Sequence, residues 1–486
     1  MDGRKWGRDV EIVGPAYNRK DLTPGIVHIG VGNFHRAHMA VYLDELFSRQ
    51  VDHDWGIVGA GVRPADAAMR EALEKQDYLS TVIELSPGKN LVRRVGAMVD
   101  FVAVDPFNAP LIEAMSRPEI RIVSLTVTEG GYFIDPATGR FDPCAPGIAV
   151  GSRFPGRPVT AFGAIVAALR NRRAAGIPAF TLLSCDNLPG NGHAARDATL
   201  GLARLSQPGL ADWIETNVAF PNSMVDRIAP ATGDRERQMA IDAGIAGDSV
   251  PVICEPYRQW VLEDRFPSGR PSIETVGAVF TDRVEAFETM KIRILNGGHA
   301  IIGYAAALCG IDHIHDAMAS PTIAHFVERV QTTEILPIVP PPPGHDLARY
   351  KAQVIDRFRN HRIADTSRRL CFDGSNRQPK FILPSVRDNL EAGRVPHGLI
   401  LATALWCRYC YGTDDNGCEI APNDPDWAAL QRTAKVARRN PDRWIAMRHI
   451  YGDLSDNNMF RSAFGDTLDL IWSEGAHGAI RHYNAR

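Results

Sequence analysis

The stretch richest in chemically useful side chains runs from Glu288 to His299 and reads ETMKIRILNGGH. On an α-helix, at about 100° per residue, Asn296 lies about 140° and His299 about 80° from Lys291, so the three polar groups share one flank of a largely apolar segment. A lysine that points into an apolar cleft is poorly solvated, which lowers its pKa and suits it to act as a base near neutral pH. The alternative is a surface lysine followed by a helix end at Gly297.

Gly297 and Gly298 stand in the middle of this helical pattern. Each glycine costs about 1 kcal/mol relative to alanine inside a helix. The pair therefore predicts a reason for its presence, such as a close approach of the backbone to a ligand.

A second candidate site is the turn GVGNFH that begins at Gly30, between a short apolar strand and a helical pattern. Gly30 would permit a tight turn, and Gly32 would let the backbone approach a pyrophosphate at a helix N-terminus. Asn33 and Phe34 are then candidates for cofactor binding. Because His35 replaces the third glycine of the dinucleotide fingerprint, an ordinary tight turn stays an alternative.

The acid that binds an adenosine ribose is expected at the end of the second strand, which is predicted at 55–62. Asp66 could accept hydrogen bonds from the ribose hydroxyls of NAD, whereas Arg63 could bind the 2′-phosphate of NADP. Asp44 has a suitable spacing but lies within a predicted helix. We expect NAD, with NADP possible.

Polar residues also lie at or just past the carboxyl ends of two buried strands predicted at 120–128 and 179–187. Ligands of open α/β sheets gather outside the carboxyl ends of the strands, which makes Thr128 and Glu129 candidates for cofactor binding. Asn187 could donate its amide hydrogen to a substrate oxygen and stabilise an alkoxide. Both loops are rich in turn-forming residues, so turns without a ligand remain an alternative.

The elements that must position these groups change in character near residue 280. Before it, apolar strands and the segment 76–85 alternate with helical patterns at 34–48 and 161–176, which favours a doubly wound parallel sheet. After it, helical patterns dominate, at 285–308, 319–332, 346–358, 397–411, 426–438 and 458–473. We therefore expect an α/β fold, with a Rossmann-like domain over 1–280 and a mainly α-helical domain over 281–486. The proline run within 338–346 is predicted to be a rigid connector.

Composition excludes several classes of partner. The 486 residues carry 54 Lys and Arg against 57 Asp and Glu, a net charge of −3 without blocks of like charge, so we expect no nucleic-acid partner. The sequence has no run of 18 apolar residues and no signal-like N-terminus, so we expect no membrane partner and a cytoplasmic location. We also expect a monomer.

We interpret much of the glycine in the candidate loops as backbone that approaches a ligand, at positions 30, 32, 130, 131, 190, 192, 297 and 298.

The eight cysteines are spread thinly along the chain, unlike those of a disulfide scaffold. Cys407 and Cys410 form a lone CxxC inside an apolar helical stretch, whereas a structural zinc site needs a second pair of ligands. We expect two semi-buried helix cysteines and no metal site.

Taken together and in this order, these segments resemble the polyol-specific long-chain dehydrogenases. The matching segments are IVHIGVGNFHRAH (26–38), IVSLTVTEGGY (122–132), FTLLSCDNLPGNG (180–192), FPNSMVDRIAP (220–230), CEPYRQWVLEDRF (254–266), EAFETMKIRILNGGH (285–299) and DGSNRQPKF (373–381). The resemblance implies a metal-independent, NAD-dependent enzyme that reversibly oxidises a secondary alcohol of a sugar alcohol to a ketose. D-mannitol and D-fructose are the expected pair, with D-arabinitol, D-sorbitol or reduction of a uronate such as fructuronate as alternatives.

The resemblance also implies roles for individual residues. Lys291 matches the lysine base of the family's K-x-x-x-x-N-G-x-H motif, and Asn187 and Asn296 match the asparagines that hold the reacting oxygen. His299 would contact substrate hydroxyls. Glu288 matches an acid that exchanges the proton with solvent.

Three further residues match substrate-pocket positions of that family. Asp226 and Lys380 match directly, and Arg369 is a weaker candidate. The chain departs from the family at the end of the second strand, where Asp66 keeps only part of the expected acidic pattern, which leaves the preference for NAD open.

Overall fold

The computed structural model describes residues 10–88, 90–135, 138–245 and 247–486. The N-terminal stretch 1–9, part of the segment in which no signal peptide is predicted, lies outside the described residues. Two compact units divide between Glu285 and Ala286, five residues after the expected boundary. The expected fold class is confirmed, because a Rossmann-like unit precedes a mostly helical one.

The described strands lie in the first unit. They are β1 Val10–Val13, β2 Pro24–Ile29, β3 Gly56–Ala60, β4 Ser80–Glu84, β5 Asn90–Val95, β6 Met98–Phe101, β7 Ile122–Leu125, β8 Thr181–Ser184, β9 Ser223–Asp226, β10 Val252–Cys254, β11 Gln259–Leu262 and β12 Val279–Phe280. The described helices that lie wholly in this unit are α1 Asn33–Ala37, α2 Met39–Ser48, α3 Asp66–Glu74, α4 Ala109–Ser116, α5 Pro146–Arg153, α6 Ala161–Ala174, α7 Asn191–Ser206, α8 Pro208–Asn217 and α9 Asp234–Asp242.

A five-stranded parallel sheet in the order β6-β3-β2-β7-β8 forms the centre of the unit. Every residue of β3, β7 and β8 is buried, as expected for parallel strands covered on both faces. After β2 the chain adds strands on one side, and at β7 it crosses to the other side of β2. This order places the topological switch point, where ligands of such sheets bind, at the carboxyl ends of β2 and β7.

The segment 76–85 does not join this sheet, contrary to the sequence-based expectation. It forms β4 in a mixed four-stranded sheet of order β1-β5-β4-β10, antiparallel to β5. Only residues 85–89 separate the two strands in the sequence. So short a connection suits a hairpin, whereas a parallel pair needs a crossover of about a dozen residues or more. A third sheet has the order β12-β11-β9.

Helix α10, Val284–Met290, carries the chain into the second unit. There follow a π-helix over Lys291–Asn296 and the helices α11 Gly297–Leu308, α12 Ile314–Ala319, α13 Pro321–Val330, α14 Leu347–Phe358, α15 Ser367–Leu370, α16 Gly374–Phe381, α17 Leu383–Glu391, α18 His397–Cys410, α19 Trp427–Ala437, α20 Asp442–Ile445, α21 Arg448–Tyr451 and α22 Asn458–Ala485. A second π-helix, Gln331–Ile335, follows α13.

The core of the second unit lies around α18, which is buried along its length after His397. Helices α11 and α22 pack against it. The last helix is longer than the predicted 458–473, because α22 continues through a kink at Gly475 (φ +73°) to Ala485. None of the described helices is long and apolar enough to span a membrane.

Candidate functional site

The loop that joins β2 to α1 lies at the carboxyl edge of the five-stranded sheet. Gly30 has φ +99°, and a Cβ there would come within 2.2 Å of the Thr126 carbonyl oxygen, so both the turn and the neighbouring strand require glycine. A Cβ at Gly32 would have its nearest described neighbour 3.9 Å away. The backbone at Gly32 is therefore open to a close approach by a phosphate group.

The next two residues of this loop contact protein through their side chains. Asn33 donates hydrogen bonds to the Pro230 carbonyl oxygen (3.0 Å) and to Thr232 Oγ1 (3.1 Å). The ring of Phe34 stacks on His38 with centroids 4.8 Å apart. Contacts of these residues with a cofactor stay a prediction.

His35, at the position of the missing third glycine, is 1% exposed and lies under the loop. Its ring stacks on that of His28 with centroids 3.5 Å and planes 14° apart. Neither ring nitrogen of His35 has a hydrogen-bond partner among the described residues, whereas His28 Nδ1 lies 2.8 Å from Ser124 Oγ. Burial lowers the pKa of His28 to about 3 and the pKa of His35 well below its ordinary value, so the stack is neutral.

The two candidates for ribose recognition contact each other. The carboxylate of Asp66 accepts hydrogen bonds from the backbone N–H groups of Val62 (3.1 Å) and Arg63 (3.0 Å). It also pairs with the Arg63 guanidinium at 2.8 Å, although 77% of the Arg63 side chain is exposed. The acidic and the basic candidate are thus paired with each other, and their contact with a ribose stays a prediction.

Thr128, after β7, has φ 67° and ψ 163°, a region that essentially only glycine adopts. The carboxylate of Asp186, after β8, accepts hydrogen bonds from the N–H groups of Val127 and Thr128, each at 2.9 Å, and from the Tyr132 hydroxyl at 2.7 Å. Burial raises the pKa of Asp186, and these hydrogen bonds oppose the effect only in part. Sequence reasoning missed Asp186, although its signal was present: an acid directly after a buried parallel strand. Glu129 is exposed in the turn that follows Thr128.

Asn191 is a second residue that sequence reasoning missed. It is fully buried and donates to the carbonyl oxygens of Asp186 (3.0 Å) and Ser223 (2.7 Å). It thereby ties the loop that carries the exposed Asn187 to β9, which ends at the buried Asp226. The anchor bonds Ser223 at the start of β9, and Asp226 lies at the other end of that strand.

The glycine next to this anchor has a packing role that the sequence does not predict. A Cβ at Gly192 would lie 2.6 Å from the Pro221 carbonyl oxygen. This glycine therefore allows a close approach of protein backbone, and an approach to a ligand at this position stays a prediction.

In the second unit, Lys291 begins the π-helix and is 5% exposed. The α-helical spacing assumed from the sequence is wrong here, because a π-helix forms its hydrogen bonds from i to i+5. The Gly297 N–H accordingly bonds the Ile292 carbonyl oxygen, five residues back. Residues five apart then lie about one turn apart, so Asn296 lies nearer to the side of Lys291 than the roughly 140° of an α-helix would place it.

The two glycines after the π-helix also contact protein. A Cβ at Gly297 would lie 3.2 Å from the carbonyl oxygen of Phe381, the last residue of α16. A Cβ at Gly298 would lie 2.6 Å from Gln331 Nε2 and 3.0 Å from the ring of Phe358. Protein thus occupies the space that a side chain would need at both positions, and a close approach of the backbone to a ligand there stays a prediction.

His299, one turn further, packs its ring on Phe358 with centroids 4.7 Å apart. Arg369 forms a two-point ion pair with Asp365, whose Oδ1 lies 2.6 Å from Nε of Arg369. Burial raises the pKa of Asp365, but the hydrogen bond and charge of Arg369, together with the charge of His299, lower it on balance. Asp365 thus pairs with Arg369 and is affected by the charge of His299.

The other two candidates of this unit lie on the flanking helices. Lys380 is exposed on α16, next to the Phe381 that contacts Gly297. Glu288 is half-buried in the last turn of α10, three residues before Lys291.

Across residues 10–88, 90–135, 138–245 and 247–486, no group of three or more His, Cys, Asp or Glu side chains is arranged to hold a metal ion. Cys407 and Cys410 are free thiols, fully buried in α18 rather than semi-buried as predicted. Burial raises the pKa of both thiols well above the ordinary value.

Comparisons with known proteins identify the family of both units. The mannitol dehydrogenase Rossmann domain matches residues 24–275, and the mannitol dehydrogenase C-terminal domain matches residues 283–472. A mannitol 2-dehydrogenase of Cereibacter sphaeroides is 60% identical over 97% of this chain and 98% of its own length.

Two solved structures are similar over nearly the whole chain. The ternary complex of Pseudomonas fluorescens mannitol 2-dehydrogenase with NAD and D-mannitol has a TM-score of 0.88 at 40% identity, covering 99% of this chain and 98% of that one. A D-sorbitol dehydrogenase in substrate-free form also has a TM-score of 0.88, at 33% identity and 97% coverage of both chains. The resemblance inferred from the sequence motifs is confirmed, and the chain belongs to the mannitol dehydrogenase family.

Proposed function

We propose that this protein is an NAD-dependent polyol dehydrogenase that reversibly oxidises D-mannitol at C2 to D-fructose. The observation that carries the proposal is the buried Lys291 at the start of a π-helix, with Asn296 about one turn away. Family membership over both units and 60% identity to a mannitol 2-dehydrogenase support the choice of substrate.

The carboxyl edge of the five-stranded sheet fits a dinucleotide. It lies at the topological switch point, and the backbone at Gly32 is open to a pyrophosphate. The residues proposed to hold NAD are Gly30, Gly32, Asn33, Phe34, Arg63, Asp66, Thr128 and Glu129. When bound, NAD supplies the acceptor for the hydride that leaves C2 of the substrate.

Lys291 is the proposed base. In its neutral form it takes the proton of the C2 hydroxyl through Nζ as the carbon loses its hydride. The amides of Asn187 and Asn296 donate hydrogen bonds to the oxygen on which negative charge develops, as the donors of an oxyanion hole do. Glu288 then passes the proton from the lysine to solvent. The scheme needs no metal ion.

The remaining candidates are assigned to the other hydroxyls of the substrate. His299, Asp226 and Lys380 are proposed to contact them directly. Arg369, which pairs with Asp365, is proposed to orient His299 through that carboxylate as well as to contact substrate.

A second candidate is the same chemistry on D-sorbitol, since the similar D-sorbitol dehydrogenase structure matches with the same TM-score of 0.88. Its lower identity to this chain, 33% against 40%, favours D-mannitol. D-arabinitol oxidation and fructuronate reduction remain within the same test.

The test is a substrate panel of mannitol, sorbitol, arabinitol, fructose and fructuronate with NAD or NADP, followed by the absorbance of the reduced cofactor. We expect the highest kcat/KM for mannitol with NAD, and for fructose in the reverse direction. If kcat/KM is higher for sorbitol, arabinitol or fructuronate, that compound would replace mannitol and fructose as the proposed substrate.

The base is tested by Lys291→Ala, which should lower kcat about 10²- to 10⁴-fold, the range for loss of a general base. The affinity for NADH, measured by fluorescence titration, should stay near that of the wild type. The control is Lys435→Ala, at an exposed lysine of α19. If Lys291→Ala were as active as this control, Lys291 would not be the base.

A further inference from the structure

The π-helix Lys291–Asn296 has a side-chain partner from a distant part of the second unit. Gln331 Nε2 donates a hydrogen bond of 2.9 Å to the Ile294 carbonyl oxygen, 37 residues earlier in the chain. Gln331 is 0% exposed, so water cannot readily replace it as a donor. Because Ile294 lies between Lys291 and Asn296, this bond fixes the backbone in the middle of the turn that carries both.

Gly298 makes room for the Gln331 side chain. A Cβ at position 298 would lie 2.6 Å from Gln331 Nε2 and 3.0 Å from Phe358 Cε2. A side chain there would displace the amide from Ile294 or push α11 away from Phe358. The glycine therefore permits the hydrogen bond that holds the π-helix.

A separate contact anchors the other flank of the same turn. Arg293 donates to Ser385 Oγ (2.7 Å) and to the Asp388 carboxylate (2.9 Å), both on α17. Without the Gln331 bond, the segment would lose the hydrogen bond at its centre, and α-helical hydrogen bonds could form there in place of the π pattern. In α geometry Asn296 would turn to about 140° from the preceding lysine, farther around the helix than in the π geometry.

We propose that Gln331 is a positioning residue for the reaction. By holding the Ile294 carbonyl oxygen it maintains the π geometry, and with it the placement of Asn296 beside Lys291. This inference rests on the proposed function, because it takes Lys291 as the base and Asn296 as a donor to the reacting oxygen.

The direct test is Gln331→Met, which keeps the length of the side chain and removes the donor. Gln331 Oε1 has no hydrogen-bond partner among the described residues, so the substitution removes this one bond. We expect kcat for mannitol oxidation to fall about 10²-fold, the scale for a misplacement of about 1 Å in catalytic groups. The pH profile of kcat should shift, because the surroundings of Lys291 change, while the affinity for NADH should stay unchanged.

The matched control is Thr403→Val, which removes another buried hydrogen bond of the same unit, between the Thr403 and Tyr451 hydroxyls at 2.9 Å. It should lower the unfolding temperature to a similar extent and leave kcat and its pH profile unchanged. A loss of kcat in Gln331→Met no larger than in this control would overturn the proposal.

A second variant, Gln331→Glu, can donate to the carbonyl only while its carboxyl group is protonated. Its kcat relative to the wild type should therefore decrease as the pH rises, a trend that a merely structural role would not produce. A constant ratio overturns the proposal, and so does failure of both variants to fold, which would make Gln331 a folding residue. If the wild-type protein is inactive across the panel, the proposed function is wrong. If Lys291→Ala is inactive while both Gln331 variants keep full activity, only the positioning role of Gln331 is rejected.

Discussion

Asp186 clamps Thr128 through a backbone hydrogen bond of 2.9 Å, and Thr128 has a conformation, φ 67° and ψ 163°, that a β-branched residue rarely adopts. Strain of this kind costs about 1–3 kcal/mol and persists only where the surroundings stabilise it. The second bond of the carboxylate, to the Val127 N–H, fixes the adjacent peptide. The clamp therefore holds the loop after β7 in a single conformation, and that loop is proposed to bind NAD.

We predict that Asp186→Asn weakens NADH binding about tenfold, since a tenfold change corresponds to about 1.4 kcal/mol and one charge-assisted hydrogen bond contributes about this much. The amide oxygen is a weaker acceptor than a carboxylate, so Thr128 can relax to an unstrained conformation. Fluorescence titration with NADH measures the effect.

Asp44 provides a matched control for this prediction. It lies in α2, within the helix that the sequence predicts, and is buried there. It likewise accepts hydrogen bonds from a tyrosine hydroxyl (Tyr17, 2.6 Å) and a backbone N–H (Gly96, 2.7 Å). Burial raises the pKa of both carboxyls. Asp44→Asn should lower the unfolding temperature but not the affinity for NADH, and an equal loss of affinity in the two variants would refute the role of the clamp.

We predict that Asp66→Ala raises, about tenfold or more, the ratio of kcat/KM measured with NADP to kcat/KM measured with NAD. A tenfold change corresponds to about 1.4 kcal/mol, and we expect the loss of one charge contact to be worth about this much. The change removes an anion that would repel the 2′-phosphate and releases the guanidinium of Arg63. The control is Glu74→Ala, which breaks the ion pair with Arg70 on the same helix at 3.1 Å. An unchanged ratio in Asp66→Ala would mean that this pair does not face the ribose.

Acidification should destabilise the protein through its buried histidines. Burial lowers the pKa of His28 to about 3 and that of His38 to about 3, and it lowers the pKa of His35 well below its ordinary value. The unfolded chain binds a proton at each of these sites near pH 6.5 and the folded protein does not, so stability falls as the pH drops below that value. Each such histidine contributes a slope of about 1.4 kcal/mol per pH unit, which continues down to the folded pKa.

His35→Phe tests this slope, because a phenyl ring can keep the stack on His28 and cannot titrate. Unfolding temperatures measured from pH 7 down to pH 5 should decrease less steeply in the variant than in the wild type. The exposed His449 offers a control, and His449→Phe should retain the wild-type slope. Parallel curves for all three proteins would show that the stack does not cause the acid sensitivity.

The sequence predicts the parallel strands and most helices because local periodicity and burial determine them, as β7 and β8 show with every residue buried. It does not predict the π-helix at Lys291, which depends on a side chain at Gln331 that only the tertiary fold brings near. It also misses the clamp on Thr128, since threonine by itself avoids that backbone region. The monomeric state and the cytoplasmic location stay predictions.

The last prediction concerns the pH dependence of the rate. Oxidation needs a neutral Lys291 to accept the proton, so kcat for mannitol oxidation should rise with pH to a plateau, and kcat for fructose reduction should fall over the same interval. Lys291→Arg keeps a positively charged group at this position, but that group cannot become neutral, because the pKa of arginine lies above about 12. Steady-state rates of this variant should be about 10²- to 10⁴-fold lower in oxidation and show no rise with pH. An oxidation rate in the wild type that does not change with pH, or a rise retained in Lys291→Arg, would assign the proton to another group.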